Sequence, residues 1–148
     1  MHTPNETTGR SFLTILLAAT VVLAGYPAAV ASQELKIVLS GSQEIPPVTT
    51  SASGTATINV GADKTVRGSV TISGISPTAV HIHEAPAGKN GPIAIPLTQT
   101  ADNVWSVPEG SKLTDAQHES YKAGNLYYNV HSAAYKGGEI RGQIKPEH

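Results

Sequence analysis

Two short segments of this chain carry the residue types best suited to hold a metal ion, His81-Ile82-His83 and Asn129-Val130-His131. Successive side chains in a strand point to opposite faces, so residues two apart share a face. Val80 and Ile82 then face a core, with His81 and His83 outward. In the second segment Leu126, Tyr128 and Val130 form one face, and Tyr127, Asn129 and His131 the other. Alpha carbons two apart in a strand are separated by roughly 7 Å. Both imidazoles can therefore lean onto one ion at about 2.0 Å from each nitrogen. If the two strands are neighbours, His131 completes a three-nitrogen set. With no thiolate or thioether to accompany them, three imidazoles suit copper first and zinc second, because the affinity order of divalent ions peaks at Cu(II). The competing reading is a set of solvated surface histidines.

Other polar residues stand close to these segments. A ligating histidine usually donates its second ring N–H to an acceptor, which makes Glu84 and Glu139 candidates for fixing an imidazole tautomer. The plainer reading of Glu139 is solvation or a cross-strand pair with Arg141 or Lys136. Asn129 is a candidate for holding the loop after His131. Arg141 and Gln143 read first as the exposed face of a closing strand. His118 falls in a helix and becomes a fourth ligand only if that helix folds over the sheet.

Several function classes drop out. The chain has no cysteine, which excludes a thiol nucleophile, a thiolate metal site and stabilisation by disulfides. A formal net charge of -1 and the lack of a basic patch argue against nucleic-acid partners. There is no nucleophile elbow, phosphate-cradling glycine loop or zinc-protease helix motif. Binding is thus expected ahead of catalysis.

The elements that must position these residues follow from pattern. Arg10, the apolar run from Phe12 to Gly25 and the small-residue triplet Ala29-Val30-Ala31 have the layout of a secretory signal peptide over residues 1–31. Cleavage after Ala31 is expected to leave about 117 residues (32–148), enough for one domain. Its place would be the periplasm or the outside of the cell, with no membrane span after signal removal. Alternating runs are expected as strands over Leu35 to Ser40, Gly54 to Val60, Val66 to Ile72, Ala79 to Glu84, Ile93 to Leu97, Val104 to Val107, Leu126 to Ser132 and Glu139 to Lys145. Gly61-Ala62-Asp63-Lys64 supplies turn chemistry for a hairpin. Pro96 places its strand at an edge. Thr114-Asp115-Ala116-Gln117 has capping-box spacing for a short helix to Ala123, with Gly124 as its left-handed stop. Gly41 to Ser53 and Ala85 to Pro92 read as surface loops. This is the pattern of an antiparallel sandwich or barrel.

The order of these segments resembles the CHRD (chordin-type) domain. The resemblance runs through Leu39-Ser40-Gly41-Ser42-Gln43-Glu44-Ile45-Pro46-Pro47-Val48, then His81-Ile82-His83 with Gly91-Pro92-Ile93, then Gly124 to Ala134, and ends with Gly137-Gly138-Glu139-Ile140-Arg141-Gly142-Gln143-Ile144. It implies an exported module and permits a metal-free role in binding an extracellular or envelope protein. Locally, His81-Ile82-His83-Glu84 is similar to the paired-histidine strand of copper/zinc superoxide dismutases. Asn129-Val130-His131 is similar to the strand that carries another copper ligand there. That second resemblance implies copper on His81, His83 and His131 at the outer face of a Greek-key barrel, with Arg141 near a small anionic ligand.

The expected fold is therefore all-β, an antiparallel Greek-key β-sandwich or flattened barrel with one short α-helix near residues 114–123. Three functional readings stand open. One is an exported binding protein with copper at three histidines, and another is a superoxide-dismutase-like redox enzyme at the same ion. The third is a metal-free protein-interaction module that uses the loops Gly41 to Ser53 and Ala85 to Pro92.

Overall fold

The alternation read from the sequence becomes a single curled sheet of nine strands in the computed structural model, which describes residues 32–147. The expected signal peptide, residues 1–31, lies outside the described residues, as does His148. The strands are β1 (Leu35–Ser40), β2 (Ser53–Val60), β3 (Val66–Ser73), β4 (Pro77–Glu84), β5 (Ile93–Pro96), β6 (Thr98–Ala101), β7 (Val104–Ser106), β8 (Leu126–Ser132) and β9 (Ile140–Ile144). A 3-10 turn, Gly41–Gln43, follows β1, and one helix, α1 (Asp115–Lys122), precedes β8.

The order across the sheet is β5-β4-β8-β9-β1-β2-β3-β7-β6, and every pairing is antiparallel. Its two outer strands, β5 and β6, are consecutive in the chain with only Leu97 between them. The backbone itself therefore joins the two ends of the sheet, and the flattened-barrel form of the expectation describes the fold. β5 and β6 do not pair with each other, so the barrel is nearly rather than fully closed. Leu97 is buried, and its amide donates to the Val80 carbonyl at 2.9 Å, extending the β5 ladder along β4.

The β2–β3 hairpin pairs without slippage from Ser53↔Ser73 to Val60↔Val66. Lys64, at φ 67°, takes the left-handed position of its turn, while the Asp63 carboxylate accepts from the Thr65 amide at 3.1 Å. The capping box of α1 is complete. The Thr114 hydroxyl accepts from the Gln117 amide at 3.1 Å, and the Gln117 side chain accepts from the Thr114 amide at 2.9 Å. Gly124, at φ +75°, stops the helix.

The barrel interior is filled by Leu39, Ile58, Val66, Val70, Ile72, Val80, Ile82, Leu126, Tyr128, Val130, Ile140 and Ile144, with Trp105 half-buried against it. The sequence expectation missed β6. Thr98-Gln99-Thr100-Ala101 is exposed throughout, so no buried face imposed an alternation on it. The expected strand Ile93 to Leu97 instead ends at Pro96 and turns directly into β6. Among the described residues, no helix is long and apolar enough to cross a membrane.

Candidate metal centre

β4 and β8 are neighbours, in the register Val80↔Val130, His81↔Asn129 and His83↔Tyr127. Cross-strand partners share a face, so the apolar members of these pairs enter the barrel. His81, His83, Tyr127, Asn129 and His131 then gather on the opposite side. β9 continues that side through Asn129↔Arg141 and Tyr127↔Gln143.

This polar face differs from the expected solvent-facing one. His83 and His131 are each only 9% exposed and Arg141 only 3%, with Asn129, Tyr127 and Glu139 also buried, while His81 is half-buried. The cause is the folding of three connections over the sheet. Segment 41–52 brings in Glu44, which is 4% exposed, and segments 85–92 and 133–139 cover the sides. The supposed surface loops are therefore the roof of the site.

The three histidines converge. One ring nitrogen from each of His81, His83 and His131 can be chosen so that all lie within 4.8 Å of one another. His81 Nδ1 and His131 Nε2 are 3.1 Å apart. With the His131 Nδ1 proton given to the Lys136 carbonyl, this contact is a hydrogen bond from His81 Nδ1–H to His131 Nε2. Two nitrogens on one tetrahedral ion would stand roughly 3.3 Å apart, so an ion could take the place of that proton with little movement of the rings. Among the described residues, no fourth imidazole joins them. His118 instead stacks on Tyr121 of its own helix, with ring centroids 6.4 Å apart.

Backbone acceptors set the tautomers. His83 Nδ1 donates to the Gly91 carbonyl at 2.9 Å, and His131 Nδ1 donates to the Lys136 carbonyl at 2.8 Å. In the neutral ring each then has a lone pair on Nε2. His83 Nε2 is buried and has no hydrogen-bond partner. Burial lowers the pKa of both His81 and His83, and the neighbouring imidazoles lower it further. For His83 the Gly91 carbonyl works in the opposite direction, and Arg141 adds to the lowering. Burial thereby favours the neutral form of these two rings, the form a metal requires.

Around the imidazoles lies a buried polar network that sequence reading did not assemble. His83 stacks on Tyr127 with centroids 5.1 Å apart and planes 13° off parallel, and the Arg141 guanidinium lies 4.1 Å from the centre of the same Tyr127 ring. Rather than facing solvent, Arg141 pairs with Glu44 at 3.2 Å. It also donates to the Lys89 carbonyl at 3.0 Å and to the Asn90 side chain. Asn129 donates to Glu44 and to the Ile140 carbonyl. Burial raises the Glu44 pKa, opposed by the Arg141 charge and the Asn129 hydrogen bond.

The two carboxylates considered as imidazole partners are engaged elsewhere. Glu84 accepts from the Ser120 hydroxyl at 2.6 Å, tying α1 to β4. Glu139 accepts from Thr50 at 2.6 Å and from Ser132, and Ser132 in turn accepts from the Tyr135 amide. Glu139 thus braces the connection whose Lys136 carbonyl orients His131, and pairs with neither Arg141 nor Lys136. Glu44 was missed because it follows an aperiodic turn, where no alternation marks it as buried.

The terminal nitrogens of Arg141 are committed to Glu44, Lys89 and Asn90 and its face to Tyr127, while its Nε is buried without a partner. The arrangement is one of three nitrogen donors, two of them buried and held by backbone carbonyls, with His81 the least buried of the three.

No curated protein and no solved structure matches the chain. The model of the CHRD domain family matches residues 35–144, from the first residue of β1 to the last of β9. That span contains every residue of the site, and on this match the chain belongs to the CHRD domain family.

Proposed function

We propose that this CHRD-domain chain is an exported protein, residues 32–148 after loss of a signal peptide at residues 1–31, that binds one transition-metal ion through His81, His83 and His131. Copper is the first candidate and zinc the second. The observation that carries the reading is His83 Nε2, a buried lone pair with no partner on a ring whose other nitrogen is fixed by a carbonyl. Buried polar atoms are almost always satisfied, and one that is not points to an unseen water or ion. A metal ion meets the need of this atom and brings the three rings to a common centre.

The donor set fits the proposed ions. Imidazole suits copper and zinc, and the absence of thiolate and carboxylate among the three ligands removes the preference for Cu(I) clusters or for magnesium and calcium. Such an ion would supply Lewis acidity, or electron transfer if it is copper. Backbone carbonyls orient His83 and His131, while His81 is the least buried of the three. A redox role of the superoxide-dismutase kind would draw on a cation free to attract an anion. Arg141 is bound inside the protein instead, so binding is favoured over catalysis.

The test is titration of the purified domain with Cu(II) and Zn(II) in non-chelating buffer, repeated with His81→Ala, His83→Ala and His131→Ala. One saturable site, weakened at least tenfold by each substitution, is expected. Weak binding that is indifferent to all three refutes the proposal. A superoxide dismutation assay of the loaded protein against free-copper controls tests the redox reading separately.

A further inference from the structure

His83 can offer Nε2 only while its Nδ1 proton is taken by the Gly91 carbonyl. That carbonyl belongs to the connection 85–92, which has no strand partner of its own. The ends of the connection are pinned to the sheet, with Gln143 donating to the Ala85 carbonyl at 3.1 Å and the Glu84 amide to the Pro92 carbonyl at 2.9 Å. Its middle is held mainly by two buried side chains. Arg141 donates to the Lys89 carbonyl and to the Asn90 side chain, and the Tyr127 hydroxyl accepts from the Gly91 amide at 3.1 Å. Asn90 adds one bond to the Ile45 carbonyl at 3.1 Å.

Arg141 sits where this task needs a planar fork. One guanidinium reaches two successive residues of the connection, the Glu44 carboxylate and the face of Tyr127. A lysine ammonium is a point charge on a flexible stem and cannot span that set. The room for the connection is equally specific. A Cβ on Gly91 would run into the Glu84 carbonyl, so the carbonyl that faces His83 comes from a residue with no side chain.

We infer that Arg141 is a positioning residue for the metal site. By gripping Lys89 and Asn90 it places the Gly91 carbonyl so that His83 is fixed as the Nδ1–H tautomer, with Nε2 free as the ligand atom. The inference rests on the three-histidine reading only for the use made of that lone pair. The tautomer exists whether or not an ion is present. His131 supplies an internal control, because its Nδ1 bonds to Lys136 on a different connection, one braced by Glu139 and Ser132.

Nitrogen-15 imidazole NMR of the metal-free protein reads both tautomers directly. The comparison is wild type against Arg141→Lys, which keeps a charge beside Glu44 but loses the fork, and Asn90→Ala, a change at an exposed position that leaves the core intact. The expected result is a single Nδ1–H form of His83 in wild type and a mixture with the Nε2–H form in both variants. His131 keeps its tautomer throughout, and Zn(II) affinity falls about ten- to a hundredfold, the usual cost of losing an outer partner of a ligand. A His83 tautomer that is unchanged in either folded variant overturns the inference. If the tautomer responds as expected but wild type binds neither Zn(II) nor Cu(II), the positioning role stands and the metal reading falls.

Discussion

Replacing Glu44 by alanine should destabilise the domain severely, although Glu44 lies in an irregular segment. Glu44 and Arg141 form an ion pair with 4% and 3% residue exposure. Removing one member of a buried pair costs about 3–5 kcal/mol, because the other charge remains without compensation in a medium that cannot solvate it. Arg141 keeps Lys89, Asn90 and the Tyr127 ring, whereas Asn129 loses its side-chain acceptor. These effects oppose one another and place the expectation near the lower bound, about 3 kcal/mol. The entropy of unfolding for a chain of this described length is roughly 0.24 kcal/mol per kelvin. The midpoint should therefore fall by about 12 °C.

Thermal and urea unfolding followed by circular dichroism measure this directly. The companion variant is Glu44→Leu with Arg141→Met, which removes both charges and fills the space. Because burying a pair costs about as much as its attraction returns, the double variant should be more stable than Glu44→Ala. A midpoint drop under about 4 °C for Glu44→Ala, equivalent to roughly 1 kcal/mol, would refute the claim that the pair is buried and coupled.

Three further outcomes are expected. Free Zn(II) or Cu(II) at a hundred times its dissociation constant should stabilise the wild-type domain by about 2.7 kcal/mol, a midpoint rise of roughly 11 °C that disappears in His83→Ala. Scanning calorimetry with and without the ion checks it. In the metal-free protein, stability should be fully present above about pH 6.5 and fall as the pH drops below it. The folded-state pKa values of His81 and His83 are lowered, so in that window the unfolded chain binds more protons than the folded one. Urea midpoints from pH 8 to pH 5 should show the slope, and replacing both residues by glutamine should flatten it. Finally, Thr114→Ala removes the capping-box acceptor of α1 and should cost about 1 kcal/mol, measured by the same urea titration with the histidine site unaffected.

Much of the scaffold was legible because its causes are local. The alternation of Ala56, Ile58 and Val60 against Thr55, Thr57 and Asn59 marks a strand with one buried face, and the residues at Gly61 to Lys64 turn it back on itself. The Thr114–Gln117 spacing satisfies helix-end amides within a single turn. Strand β6 escaped because an exposed polar segment has no burial pattern to read. The position of Glu139 near His131 was visible, but its partners Thr50 and Ser132 were not, since Thr50 arrives on a connection from the other end of the domain.

The sequence alone determined that His81, His83 and His131 lie on the faces of their strands opposite the core residues, because the two-residue period of a strand follows from backbone geometry. It also excluded thiol chemistry by composition. Only the tertiary structure decided that β4 and β8 are neighbours, that the three rings converge and that their face is roofed. Those outcomes depend on pairing register and on how irregular connections fold over the sheet. The same folding turned Arg141 from an outward-pointing charge into a buried clamp, since its partners Glu44, Lys89 and Asn90 lie on the connections after β1 and β4 and meet it only once β4, β8, β9 and β1 are paired side by side.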